Sequence, residues 1–442
     1  MNSGTANKKI ITRFAPSPTG KFHVGGIRTA LYNYLFARKH NGKFILRSED
    51  TDPIRSKKEY EDYFLELFDW LGLKYDNYFR QSDRTDIYRG FLEKLIKDGR
   101  AYISGEEARG ENKVGSVIRF KSPGSIVSFN DLVLGRIEFD TKELGDFVIA
   151  RSLESPLYHF TVVIDDFLME VTHIIRGQEH VSNTPRQILI QEAIGAPRPT
   201  YAHASIMLNE ERAKLSKRDP IVRPALDYRD EGYLPQALLN FVALIGWNPG
   251  GDQEIFTLED MIPRFSPERL QKAGAIFNPE KLEWFNKEHI KLLPKDDQGQ
   301  GIIKFMPSEI KNLPQYSGER LAKVIPIILE HITHFGQVKE MWASGEILYF
   351  FDQPKYDKEL LKNQEFLGNL ISIINDIDEE GFHASKIKEA IWNFATEKGR
   401  GNVLWPMRVA LSGKERSPDP FILAEILGKD ETLNRLKHAK ES

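Results

Sequence analysis

The chain has 442 residues, which at roughly 100–200 residues per domain allows two to four domains, and its 40% hydrophobic and 28% charged content suits ordinary globular domains with substantial cores. No cysteine is present, which excludes disulfides and thiolate-bound metals and fits a reducing compartment. The net charge of −3 gives no overall cationic field, so a nucleic-acid partner would have to be met by a local basic face.

Met1 to Lys9 is polar and lacks the apolar centre of a secretory signal, and no apolar run reaches the ~18 residues of a membrane span. The expectation is a cytoplasmic protein. Lys8 to Phe14 reads as a first strand, closed by the turn residues Pro16, Pro18 and Gly20. Ile27, Ala30, Leu31, Tyr34 and Leu35 then repeat with helical spacing. Phe44-Ile45-Leu46 is a second short apolar run, followed by the acidic turn Glu49 to Pro53. Tyr60 to Leu71 and Ile87 to Ile96 read as further helices, the last stopped at Gly99. This alternation argues for a parallel α/β sheet.

Between Ala101 and Ser155 the pattern becomes short strands split by glycine and proline: Ser116 to Phe120, Ile126 to Phe129, Arg136 to Phe139 and Phe147 to Ala150. They read as a β-rich insertion. The α/β rhythm resumes with His159 to Ile164 and His173 to Arg176, read as strands. A helix follows, capped by Asn183 or Thr184, with Pro185 in its first turn and Gly195 at its end. Tyr201 to Leu208 reads as one strand leading into a cationic loop at Lys214. Beyond Pro220 the pattern is helical, with stripes from Leu234 to Ile245 and from Pro279 to Ile290. The charged, glycine-bearing stretch Pro294 to Gly301 reads as a linker. Helical segments follow near Glu319–Ile332, Glu359–Ile377, Ser385–Glu397 and Pro420–Gly428.

Two segments carry chemistry. His23-Val24-Gly25-Gly26 opens a helix, whose free N–H groups and dipole favour phosphate, and His23 can donate to a phosphate oxygen. Lys214-Leu215-Ser216-Lys217-Arg218 sets three cations in five residues, which could stabilise a departing pyrophosphate. Each alone also fits a bland surface turn or a solvated basic loop. No P-loop and no dinucleotide fingerprint is present.

At these residues the chain resembles the class I aminoacyl-tRNA synthetases. The first segment is similar to their His-Ile-Gly-His signature in the form typical of glutamyl-tRNA synthetases, and the second to their Lys-Met-Ser-Lys-Ser loop. The resemblance extends through Leu46 to Asp52, Tyr158-His159-Phe160, Val163 to Asp166, Thr172 to His180, Ser182 to Gln187 and Trp405 to Gly413. It implies an α/β Rossmann-type catalytic domain with a β-rich insertion, followed by an all-helical C-terminal anticodon-binding region. The implied division is residues 8–100 and 156–218 for the catalytic halves, 101–155 for an insertion gripping the acceptor end, 219–296 for stem contact and 297–442 for the anticodon.

The resemblance implies ATP at His23, Gly25, Gly26, Met207, Leu208, Lys214, Ser216 and Lys217, with His23, Gly25, Lys214 and Lys217 serving catalysis. It implies glutamate at Arg13, Ala15, Ser17, Glu49, Tyr158 and Arg176. Planar guanidinium groups at strand ends suit the substrate's carboxylates, and Glu49 suits its ammonium. Asp50 and Asp52 could instead cap the helix that follows. Mg²⁺ would accompany ATP, and the other substrate would be tRNA(Glu). A monomer is the family expectation. Two departures stand out. The segment Ile103 to Gly115 is short and has no cysteine, so the zinc element of many relatives is excluded. Around Glu330 to His334 there is no arginine to help read the third anticodon base, which leaves charging of tRNA(Gln) open.

Overall fold

A computed structural model describes residues 9–107, 114–215, 219, 222–357 and 359–441. Four consecutive buried residues, Ile11–Phe14, form strand β1, as a strand covered on both faces requires. The Pro/Gly turn leads into helix α1 (Val24–Lys39), then β2 (Lys43–Ser48), α2 (Lys58–Leu71), β3 (Asn77–Arg80) and α3 (Thr85–Lys97). β1, β2 and β3 pair in parallel in that order. Strand β3 is short and half-exposed, and its residues show no apolar alternation to announce it.

The next segment holds β4 (Ala101–Glu107), β5 (Val114–Phe120), β6 (Ile126–Asp131), β7 (Gly135–Asp140), β8 (Phe147–Ser152) and β9 (Ser155–Pro156). These strands divide. β4, β5, β8 and β9 make an antiparallel sheet of their own. The β6–β7 hairpin instead adds to the parallel sheet, where Asp131 pairs with Tyr201. The insertion expected as one body is therefore shared between two sheets.

His159 to Ile164 is not a strand but part of helix α4 (Tyr158–Leu168). Phe160 through Asp166 are all buried, so the helix lacks the polar face that distinguishes a helical pattern from a buried strand. β10 (His173–Gly177), α5 (Thr184–Ile194), β11 (Thr200–Ala204) and β12 (Met207–Leu208) follow. α5 has Pro185 in its first turn and ends at Gly195 with φ +73°, which a residue lacking Cβ adopts without strain. Tyr201 to Leu208 is two strands, since β12 breaks away after Ser205 to pair with β13 (Ala275–Ile276). Thr172, just before β10, donates its N–H to Ile11 O at 2.9 Å and accepts the Ile11 N–H at Oγ1, also at 2.9 Å. β10 thus lies beside β1, and the order β3-β2-β1-β10-β11 reverses direction between β1 and β10. Open α/β sheets bind ligands at such a switch point.

The chain goes on through α6 (Ala225–Asp230), α7 (Pro235–Leu244), α8 (Leu258–Arg264), α9 (Pro279–Leu292), α10 (Lys295–Phe305), α11 (Gly318–His331), α12 (Gln337–Ala343), α13 (Leu367–Asn375), α14 (Ala384–Lys398), α15 (Arg400–Ser412), α16 (Pro420–Leu427) and α17 (Lys429–Glu441). Contacts divide the chain into one unit of residues 1–229 and 234–289 and another of residues 230–233 and 290–442. The expected linker at Pro294 to Gly301 is helical: Asp296 and Asp297 occupy the first turn of α10, and Gly299, Ile302 and Phe305 are buried. Gly301 serves close packing there, because a Cβ would come within 2.3 Å of the Phe335 ring. Of the expected helix Glu359–Ile377, only Leu367–Asn375 is α-helical, after a short 3₁₀ turn. Arg435 is buried at the centre of the second unit. Its donors reach the carbonyls of Tyr349 (2.7 Å), Leu411 (2.6 Å) and Asp352 (2.9 Å), and Glu431 balances its charge at 2.6 Å.

Candidate active site at the sheet switch point

Arg13 and Arg176 are the penultimate residues of β1 and β10, so adjacent strands present both guanidinium groups at one end of the sheet. A cavity of about 390 Å³ opens there. Arg13, Ala15, Ser17, Glu49, Tyr158 and Arg176 all line it, and so do His23, Gly25, Gly26, Met207 and Lys214. Residues more than 200 positions apart in sequence therefore share one chamber. Leu208 is not among its lining residues; it pairs with Ile276 and bridges to Lys214. Ser216 and Lys217 lie outside the described residues.

His23 is the N-cap of α1. Its Nδ1 accepts the Gly25 N–H at 3.3 Å, which leaves the proton of the neutral ring on Nε2. The helix start thus orients a ring donor beside its own N–H groups. Gly25 and Gly26 have different reasons to be glycine. A Cβ at Gly25 would press on the His23 ring at 3.2 Å, whereas one at Gly26 would enter the Phe22 ring at 2.2 Å. Phe22 packs edge-on against Phe14 and Phe64 beneath the turn.

The acidic turn is anchored without capping α2, whose N-cap is Lys57. Asp50 accepts from the Ser82 N–H at 2.8 Å, and Asp52 from the N–H groups of Ile54 (3.1 Å) and Arg55 (3.2 Å). Glu49 is buried and pairs with Arg47 at 3.0 Å. Burial pushes the Glu49 carboxyl up, against the pull of Arg47. Arg47 also meets Asp166 at 2.9 Å and Asp165 at 3.7 Å. Burial opposes its charge, but Asp166, Glu49 and Asp165 outweigh burial and hold its proton more firmly than water would.

Helix α4 separates the roles of its two adjacent aspartates. Asp166 accepts from Arg13 Nε at 3.1 Å as well as from Arg47. Burial raises its pKa, yet Arg13 and Arg47 reverse the sign and hold it below the usual carboxylate range. Asp165 is turned toward Gln81 (2.8 Å), Arg84 (2.7 Å) and Tyr88 (2.8 Å). Arg176 is held by His203 at Nε (3.1 Å) and Thr184 at Nη2 (2.8 Å), while its Nη1 is buried with no hydrogen-bond partner among the described residues. Burial pushes the histidine at 180, another lining residue, down to about 4, so His180 is neutral at ordinary pH.

Sequence reasoning assigned no role to Arg47, Asp166, His203 or Asp131. A polar residue in the apolar strand Thr200–Ala204 was the available signal for His203. Among the described residues there is no group of three or more His, Asp or Glu side chains fit to hold a metal ion, and no helix long and apolar enough to cross a membrane.

Comparison with known proteins places this geometry. A family model described as tRNA synthetases class I (E and Q), catalytic domain, matches residues 9–109 and 103–284, and an anticodon binding domain model matches residues 301–440. A glutamate–tRNA ligase of Thermodesulfovibrio yellowstonii is 39% identical over 97% of this chain and 98% of its own. One of Bacillus subtilis is 36% identical over 97% and 99%. A glutamate tRNA ligase from Elizabethkingia meningosepticum, solved in complex with its amino acid, superposes with a TM-score of 0.87 at 33% identity, covering 98% of this chain and 100% of the other.

Proposed function

Since the chain belongs to the class I tRNA synthetases of the glutamate and glutamine type, we propose that it joins L-glutamate to the 3′-terminal adenosine of tRNA(Glu), using ATP. One observation carries the choice of amino acid. Arg176 lines the cavity together with Arg13, Tyr158 and Glu49, and its buried Nη1 has no hydrogen-bond partner among the described residues. An unpaired buried guanidinium donor is costly unless a ligand satisfies it, and a carboxylate is its matched acceptor. Glu49 supplies the opposite charge for the substrate ammonium.

In the first step a carboxylate oxygen of glutamate attacks the α-phosphorus of ATP, forming the acyl–phosphate bond as the bond to pyrophosphate breaks. The attacking carboxylate is already ionised near neutral pH, so no general base is required. Catalysis then rests on positioning and on charge stabilisation. His23 Nε2 and the start of α1 meet the phosphates, with Gly25 and Gly26 at the helix opening. Lys214 meets the departing pyrophosphate, a task that the resemblance also gives to Ser216 and Lys217, and Met207 borders the nucleotide. Mg²⁺ arrives as part of the ATP substrate and neutralises its phosphates. In the second step the 2′-hydroxyl of the terminal ribose attacks the acyl carbon and AMP leaves.

In this reading, residues 101–155 grip the acceptor end, 219–296 the stem and 297–442 the anticodon, and the enzyme works as a cytoplasmic monomer without structural zinc. Charging of purified glutamate and glutamine tRNAs with labelled glutamate tests it. Label on tRNA(Glu) is the expected result. Label also on tRNA(Gln) makes the enzyme non-discriminating, and label on neither overturns the proposal.

A further inference from the structure

The hydrogen bonds behind Arg176 form a buried chain that begins in the insertion. Asp131, at the end of β6, and His203, the penultimate residue of β11, are 4% and 0% exposed. Asp131 Oδ1 accepts the N–H groups of Val133 and Leu134, both at 2.9 Å. Its Oδ2 lies 2.6 Å from His203 Nδ1, and the backbone N–H of His203 reaches the same carboxylate at 3.1 Å. A carboxylate fixed by this many donors is an acceptor, so Nδ1 carries the ring proton and Nε2 offers its lone pair. Nε2 lies 3.1 Å from Arg176 Nε, a group that can only donate. Thr184 Oγ1 closes the arrangement, accepting from Arg176 Nη2 at 2.8 Å and donating to the His180 carbonyl at 3.2 Å.

We propose that His203 and Asp131 are positioning residues for the amino-acid substrate: they fix the plane of the Arg176 guanidinium by its Nε edge, so that Nη1 is presented to a substrate carboxylate. This rests on Arg176 binding that carboxylate, as argued above. The five guanidinium donors are coplanar, so a bond at Nε and one at Nη2 set the direction of the remaining edge. A neutral His203 is required, because an imidazolium would have no lone pair for Nε and would place two cations in contact. Burial pushes the ring in that direction, against the pull of Asp131. The arrangement also accounts for the β6–β7 hairpin leaving the insertion sheet. Its pairing of Asp131 with Tyr201 seats the carboxylate behind His203.

Two substitutions separate positioning from packing. Asparagine places its amide nitrogen near the imidazole Nδ1, keeping the bond to Asp131 and losing the acceptor for Arg176. Glutamine places its amide oxygen near Nε2 and keeps the acceptor. In the full-length enzyme with tRNA present, His203→Asn should raise the glutamate KM about tenfold, equivalent to ~1.4 kcal/mol, and His203→Gln by no more than about threefold. The ATP KM of both should stay within about twofold of wild type, a split that a general loss of structure would not produce. An unchanged glutamate KM in His203→Asn, or equal rises for glutamate and ATP, overturns the proposal. If His203→Asn does not fold, Asp131→Asn takes its place, with the same selective rise expected and an unchanged glutamate KM overturning. Arg176→Lys tells the two failures apart. A raised glutamate KM there beside an unaffected His203→Asn removes the positioning role alone, whereas no effect in Arg176→Lys removes the substrate role of Arg176 and the positioning role with it.

Discussion

Arg47 Nη2 lies 3.0 Å from Glu49 Oε1, so the carboxylate that is proposed to receive the substrate ammonium already carries a buried cationic partner. The pairing keeps one Glu49 oxygen oriented. Arg47 is also shared with Asp165 and Asp166, which Arg84 and Arg13 balance in turn.

Glutamate binding should therefore compete with a proton at Glu49. Burial pushes this carboxyl upward despite Arg47, so it protonates at a higher pH than an ordinary glutamate, whose pKa is about 4.3. The substrate ammonium favours the ionised form and pulls the other way. The sign follows: the glutamate KM rises as pH falls toward the carboxylate range, starting above it. Glu49→Gln should raise the KM about tenfold to a hundredfold, the scale of one buried charge-assisted hydrogen bond, and should flatten that pH dependence. Initial rates of tRNA-dependent pyrophosphate exchange across pH measure both effects.

Asp166 is a different case, because two arginines converge on it. Asp166→Asn removes the carboxylate that pairs with buried Arg13 and one of the three that surround buried Arg47, a loss of about 3 kcal/mol. At about 2–4 °C per kcal/mol this lowers the thermal midpoint of the N-terminal unit by about 6–12 °C. The carboxyl's pKa is lowered in the folded state, so its stabilisation is present above the ordinary carboxylate range and is lost as pH falls through the folded value. Wild type and variant midpoints should accordingly converge on acidification. A constant difference from neutral pH into the acid range would show that Asp166 acts through shape and not through charge.

The contrast between these residues explains what the sequence disclosed. Arg13, His23 and Gly25 sit within one strand–turn–helix passage, where a local pattern carries the chemistry. Glu49 directly follows β2 and Arg176 is near the end of β10, where the α/β alternation brings both to the switch point. Asp131 and His203 are 72 positions apart, and only the pairing of β6 with β11 makes them partners. α4 read as a strand because burial on every side erased its helical face. Gly301 suggested a linker because glycine usually marks conformational freedom, but here it marks contact with Phe335. In each of these cases tertiary packing decided, and local propensity carried no trace of it.

Lys214 offers the test of catalysis that stays within the described residues. The chain after β12 turns back on itself: Asn209 N–H donates to Ala213 O and Leu215 N–H to Met207 O, both at 2.9 Å. This return holds Lys214 opposite Leu208 and in the wall of the cavity. Its charge is argued to act on the pyrophosphate as that group gains negative charge, an interaction stronger in the transition state than with bound ATP. Lys214→Ala should therefore slow adenylate formation about a hundredfold to a thousandfold, with the ATP dissociation constant and tRNA affinity changed by no more than a few fold. Pre-steady-state measurement of pyrophosphate release, set beside equilibrium binding of ATP and tRNA, reads these quantities separately. If the loss appears instead in ATP binding, with the rate at saturation unchanged, Lys214 contributes uniform binding and the transition-state role passes to other cations of the loop.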